Sequence, residues 1–349
     1  MLETEITMTK YSGGNLDNLM NEKGYTKIEN SVYENETTGE IVIVDEDGKV
    51  TIASGETIVA KVAKGDIAKG DYVAYNPAGT SATYTIGNTY SGYNIGTEQT
   101  VTRSSAINNL NWRILDIKDG QVRLISDVPT TDTIALRNAA GYNNAVKILD
   151  DLCIELYNNT DFAAKVQSLK IEDIQKYLNI TDYSSFHDSY GKTDIKPSTN
   201  SYPNIFAKEN KQLGNPATGK LGFSEQDKWY EGTSTATPLD NTYTYWGYSF
   251  IPENVETDWK DTVYRELFIS PTNDTSPYPT YWMSSRCSYA DATNARYYIR
   301  RVDSGNVSAA YVYNSSGTPQ TFAFGVRPVV TLKANIQVGG KIGDVWNLN

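Results

Sequence analysis

Two alternating apolar runs, Trp112 to Ile117 and Val122 to Ile125, flank Lys118-Asp119-Gly120, and the same grammar returns near the end of the chain. Asp and Gly tolerate the left-handed backbone of a tight turn, so this pattern predicts a β-hairpin. Later, Asp303-Ser304-Gly305 and Ser315-Ser316-Gly317 separate the runs ARYYIRRV, SAAYVYN and QTFAFGVRPVV, which predicts an antiparallel meander. Between hairpin and meander the period changes. Tyr142, Ala145, Val146, Leu149, Leu152, Cys153 and Leu156 recur at three- and four-residue steps and predict a helix. A second helix is expected around Ile171, Ile174, Tyr177 and Leu178. From about Thr181 to Pro279 periodicity stops, apart from a helical candidate at Trp259 to Phe268. A stretch of that length inside a domain is functional or disordered. Its aromatics, Trp229, Tyr243, Tyr245, Trp246, Tyr248 and Phe250, argue against disorder. The expected class is α+β.

At roughly 150 residues per domain, 349 residues predict two or three domains. Residues 1–35 read as an N-terminal arm with a short helix at Leu16 to Lys23. Residues 36–77 read as a small β module. It comprises a hairpin in EIVIVDEDGKVTIA and two further strands in ETIVAKVA and GDYVAYNP. Asp45, Asp47 and Gly48 form its turn and lack EF-hand spacing. Residues 78–106, rich in Gly, Ser, Thr, Asn and Tyr, read as a linker. The main domain spans 107–336 and a tail 337–349.

Charge and composition exclude several chemistries. A formal charge of −11 disfavours nucleic acid and anionic membrane surfaces. No apolar run approaches the ~20 residues that span a bilayer. The start, MLETEITMTK, is acidic where an export signal has a basic region followed by an apolar stretch, so no export signal is expected. The chain has one His, His187, in the polar stretch TDYSSFHDSYG, which excludes paired-His zinc motifs and leaves a single residue for any catalytic triad. Cys153 and Cys287 make at most one disulfide or two buried thiols, and Cys153 lies on the apolar stripe of its helix. Gly214 to Lys220 matches GxxxxGK, but Leu221 replaces the Ser or Thr that a P-loop places on Mg²⁺, and no strand precedes it. No metal and no cofactor are expected.

Three separated motifs, Trp112-Arg113-Ile114-Leu115, Tyr281-Trp282-Met283-Ser284-Ser285-Arg286 and Phe324-Gly325-Val326-Arg327-Pro328-Val329-Val330, resemble those of DUF6273-type domains. That family belongs to surface and prophage proteins of Gram-positive bacteria. The resemblance covers about 107–336 and implies a C-type lectin-like domain, here preceded by the small all-β module. Calcium lectins of that fold carry EPN or QPD with WND. Pro252-Glu253-Asn254 has the EPN residues in another order and no WND is present, so calcium-dependent sugar binding is not implied.

The stretch Ser288 to Asn314 also resembles the variable region of retroelement-diversified ligand-binding proteins of this fold. Tyr supplies large amphipathic contact area at low entropy cost. The resemblance places ligand contact at Tyr289, Asp291, Asn294, Tyr298, Tyr311 and Tyr313. Strand alternation sends Ser308, Ala310 and Val312 inward and Ala309, Tyr311 and Tyr313 outward. A second reading makes these tyrosines surface decoration. The expected function is non-enzymatic recognition or adhesion, extracellular, on a virion or on a cell surface. Expected partners are a host or cell-surface protein or glycan and other subunits of the same particle, in a homo-oligomer, without nucleic acid or membrane insertion. A structural subunit of a virion or filament is the alternative, and a carbohydrate-active enzyme the third reading.

Overall fold

The computed structural model describes residues 2–29, 31–44, 48–79, 81–86, 99–103, 110–179, 249–250, 259–269, 280–290, 295–303, 305–314 and 321–349. Asp119 and Gly120 both have positive φ, 53° and 73°. They turn β8 (Trp112–Lys118) into β9 (Gln121–Ser126), with Lys118 opposite Gln121. Positive φ at both loop positions matches the twist of the strands they join. Gly is required at 120 a second time, because a Cβ there would run into Thr51 Oγ1.

This hairpin is the centre of a seven-stranded sheet. β9 pairs with β17 (Pro328–Leu332), and β17 with β11 (Ala163–Ser168). On the other side β8 pairs with β5 (Tyr72–Ala74). β5 runs parallel to β19 (Val345–Leu348), which forms a hairpin with β18 (Val338–Ile342). Segments that composition alone separates, 36–77, 107–336 and 337–349, therefore meet in one sheet. The residues set apart as a tail bury Val338 and pack Trp346 and Leu348 on the main core.

A six-stranded sheet holds the rest. β13 (Tyr281–Ala290), β14 (Ala295–Asp303) and β15 (Asn306–Asn314) form the expected antiparallel meander. β12 (Ser249–Phe250) adds to the outer edge of β15. The meander ends there. β16 (Thr321–Val326) pairs in parallel with β13 and antiparallel with β10 (Ile134–Arg137), where sequence alternation placed it beside β15. Packing explains the crossing, since Phe324 and Phe322 sit opposite Ile134 and Leu136, and Phe324 meets Trp282 edge-on at 4.6 Å.

Arg327 separates β16 in one sheet from β17 in the other. It is fully buried. Its Nε and Nη2 donate to Ser126 O at 3.0 and 2.8 Å, Nη2 also to Asp127 O at 3.0 Å, and Nη1 to Phe268 O at 3.2 Å. The neighbouring backbone is tied in turn: Leu169 N donates to Arg327 O and Ser284 N to Leu169 O, both at 2.9 Å. Ser285 Oγ accepts from Ile171 N at 3.0 Å, and Ser284 Oγ donates to Ser168 O at 3.3 Å. These bonds coincide with a break in the β13–β14 ladder between Trp282 and Arg286.

Helices complete three cores. α4 (Asn138–Tyr157) buries the predicted stripe Ala145, Val146, Leu149, Leu152, Cys153 and Leu156. Burial, with the Asp150 charge nearby, pushes the Cys153 thiol up, as an inert core cysteine requires. α5 (Ile171–Gln175) and α6 (Thr262–Phe268) border a second core with Leu115, Ile125, Tyr281 and Val329. Residues 58–63, expected as a strand, form α3 (Ile58–Ala63). Thr57 Oγ1 accepts from Ala60 N, and Ile58, Val59, Ala60 and Ala63 are all buried, so packing and a cap override β-branched propensity.

The first 35 residues contain more than an arm. α1 (Leu2–Tyr11) and α2 (Leu16–Glu22) cover one face of a sheet ordered β1 (Thr26–Glu29), β2 (Val32–Asn35), β3 (Glu40–Val44) and β4 (Val50–Ser54). Ile6, Met20, Tyr33, Val42 and Val44 make this third core, while Ile41, Ile43 and Ala53 face the main one. The β3–β4 pairing supports the predicted hairpin, although Asp45 and Asp47 lie outside the described residues. Within 78–106, β6 (Ala82–Ile86) and β7 (Gln99–Arg103) pair antiparallel.

The sheet that crosses these boundaries yields a prediction. A 107–336 fragment lacks β5 and β19, and it should melt without a cooperative transition that the full chain shows by calorimetry. A sharp transition in the fragment would make the shared sheet dispensable.

Candidate functional site

Backbone register assembles the tyrosine-rich positions at one end of the β13–β14–β15 ladder. Cys287 lies opposite Tyr298, and Tyr298 opposite Tyr311. Ser288 lies opposite Tyr297, and Tyr297 opposite Tyr313. Tyr289 lies opposite Arg296, which lies opposite Asn314. The rows are carried by a rigid base. Trp282 is fully buried and donates Nε1–H to Ile134 O at 2.7 Å, while Ile299, Ala310 and Val312 are buried in the main core.

Of the six predicted contact residues, Tyr289, Tyr298, Tyr311 and Tyr313 share this sheet end, and Asp291 and Asn294 lie outside the described residues. Two details correct the expectation. Tyr298 is only 5% exposed and Tyr311 is half-buried; their rings meet at 5.8 Å, tilted by 55°. Ala309, expected outward, is 8% exposed. The second detail is an irregularity in register. Tyr298 pairs with Tyr311 but Tyr297 pairs with Tyr313, so Val312 is an extra residue in β15. A bulge of this kind breaks the two-residue phase that alternation assumed for Tyr311 and Tyr313. Tyrosine rings at such a position offer apolar area and a hydroxyl for hydrogen bonding.

A second polar centre escaped sequence reasoning. Asp116 on β8 and Arg123 on β9 are cross-strand partners, buried to 4% and 3% exposure. Arg123 grips Asp116 through Nε to Oδ1 at 2.6 Å and Nη2 to Oδ2 at 2.5 Å, and it reaches Asp173 through Nη1. Lys176 Nζ and Tyr177 OH also donate to Asp116 Oδ2. Tyr177 stacks on Tyr264 at 3.6 Å. Burial opposes ionisation of Asp116, but the hydrogen bonds and charges of Arg123 and Lys176 outweigh it and hold the carboxyl well below the usual range. Burial pushes the Lys176 amine down, against the pull of Asp116. The signal for this pairing was present in sequence as a lone acid in WRILDIK facing a lone base in QVRLIS.

Among the described residues no group of three or more His, Cys, Asp or Glu side chains could hold a metal ion, and no helix is long and apolar enough to cross a membrane. His187, the Gly214–Lys220 loop and Pro252 to Asn254 lie outside the described residues, and nothing is described of the Cys287 side chain. No protein-family model, curated protein or solved structure matches the chain.

The Asp116 centre predicts a pH effect. A carboxyl whose value is depressed by folding stabilises the protein above its unfolded value, about 3.9, and loses that contribution as pH falls below it. Urea titrations should show stability falling steeply below about pH 4. Asp116→Asn, which leaves Arg123 short of its main partner, should cost about 3 kcal/mol at neutral pH and flatten the acid limb. An acid limb parallel to that of the parent would assign the effect to other carboxylates.

Proposed function

We propose that the protein is a non-enzymatic recognition or adhesion protein of a phage particle or bacterial surface. In this reading residues from 107 onward form a C-type lectin-like frame that presents a Tyr-rich face to a host or cell-surface protein or glycan. The observation that carries it is the ladder register, which collects Tyr289, Tyr297, Tyr311 and Tyr313 at one end of a sheet anchored by buried Trp282, with the buried Tyr298 ring packed against Tyr311. The order of hairpin, two helices and late sheet supports the fold assignment. The structured N-terminal unit, with its own core, is suited to holding the frame on an assembly.

Attachment of labelled protein to a panel of Gram-positive cells, compared between variants, tests this reading. Truncating a Tyr hot spot typically costs ~2 kcal/mol, so Tyr311→Ala with Tyr313→Ala should reduce attachment more than tenfold while the melting temperature changes by a few degrees. Trp282→Ala should unfold the frame, because it leaves a cavity and an unpaired carbonyl at Ile134. Unchanged attachment by the double tyrosine variant would overturn the proposal. Loss of particle or filament assembly with attachment intact would make the same face a subunit contact.

A further inference from the structure

Asn179, just beyond α5, and Trp259, just before α6, bound the segment 180–258, and the chain at these two ends is fastened together. Leu178 and Trp259 form an antiparallel bridge. Lys260 N donates to Tyr177 O at 2.9 Å, and Asn179 Nδ2 to Trp259 O at 3.1 Å. The side chains repeat the closure. Tyr177 from the outgoing end stacks on Tyr264 from the returning end at 3.6 Å and 14°, and Phe268 lies beyond both in near-parallel orientation. Trp259 packs on Phe268 at 6.2 Å. Tyr177, Leu178, Trp259 and Tyr264 are all buried. Outside the stack, the outgoing end is tied to the frame by Lys176 and Tyr177 on Asp116, and the returning end by Lys69 over the Tyr264 ring at 5.3 Å. Asp261 caps α6 by accepting from Val263 N.

We propose that these contacts form a clamp that closes the frame, so that residues 180–258 are an insert mounted on a complete fold. Antiparallel bridge partners lie about 5 Å apart, a gap that a hairpin loop of two to five residues spans. Among the described residues, the contacts that hold the two ends together are made on the frame side of that gap, by Tyr177, Leu178 and Asn179 on one end and Trp259, Lys260, Tyr264 and Phe268 on the other. β12 falls inside the insert and contributes a two-residue pairing to Val307 and Ser308, which replacement of the insert removes. A fold closed at this point tolerates changes of insert length and content, the usual way in which a rigid scaffold carries a recognition segment.

The test replaces residues 180–258 by Gly-Asn-Gly-Ser and compares thermal unfolding with the full chain. The expected result is a single cooperative transition at the same or a higher temperature, since a shorter loop costs less entropy to close. The near-UV circular dichroism of the frame tyrosines should persist. Loss of cooperative unfolding overturns the proposal. Tyr264→Ala supplies an independent arm, because a clamp belonging to the frame should lower the melting temperature equally in the full and shortened proteins. A loss confined to the full chain would assign the stack to the insert and also overturn it.

Discussion

Everything in the frame turns on a buried guanidinium. Arg327 stands where the chain passes from the six-stranded to the seven-stranded sheet, and its donors are spent on the carbonyls of Ser126, Asp127 and Phe268. Those carbonyls come from the end of β9 and the end of α6, so one side chain satisfies backbone at three places that have no ladder partner there. Arg is suited to this because its five donors sit in a fixed planar fork, which a Lys ammonium does not reproduce. Burying it is costly, and only the completeness of its bonding offsets that cost. Pro328 fits the next position, starting β17 without an N–H to satisfy.

The same corner holds the motif of β13. Ser284 and Ser285, buried in the break of β13, bond the backbone between β11 and α5, and that segment in turn bonds Arg327 O. The tyrosine-bearing end of β13, β14 and β15 is thus an extension of strands whose other end is fixed at the junction of both sheets. Rigidity of this kind lets surface positions vary without loss of the core, and it is the physical basis for reading the sheet end as a recognition face.

Local patterns were legible in the sequence. The Asp119-Gly120 turn, the α4 stripe, α6 and the first three strands of the meander follow from turn chemistry and periodicity. Nonlocal pairing was not. Nothing in the composition of 337–349 announces that Val345 to Asn347 will lie beside Tyr72 to Ala74, because a parallel neighbour leaves no turn signal between the strands. Residues 58–63 misled through their β-branched content, which a capping Thr57 and complete burial overrode. At the site, alternation predicted the phase of Ala310 and Val312 but could not show a one-residue bulge, which has no signature of its own in SAAYVYN. The Asp116–Arg123 pair was legible in principle, as the one acid of β8 and the one base of β9 at matched distances from a turn.

Arg327 couples the two sheets into one cooperative unit, and native-state hydrogen exchange on Arg327→Met reads that coupling residue by residue. The amides of Leu169, Ser284 and Val330 report, respectively, the Arg327 carbonyl, the β13 break and the β9–β17 ladder. All three amides should lose protection together with Ile299 of the six-stranded sheet, by about 100-fold, the equivalent of about 3 kcal/mol. Loss of protection at Leu169 alone, with Val330 and Ile299 unchanged, would show that the sheets open independently of Arg327.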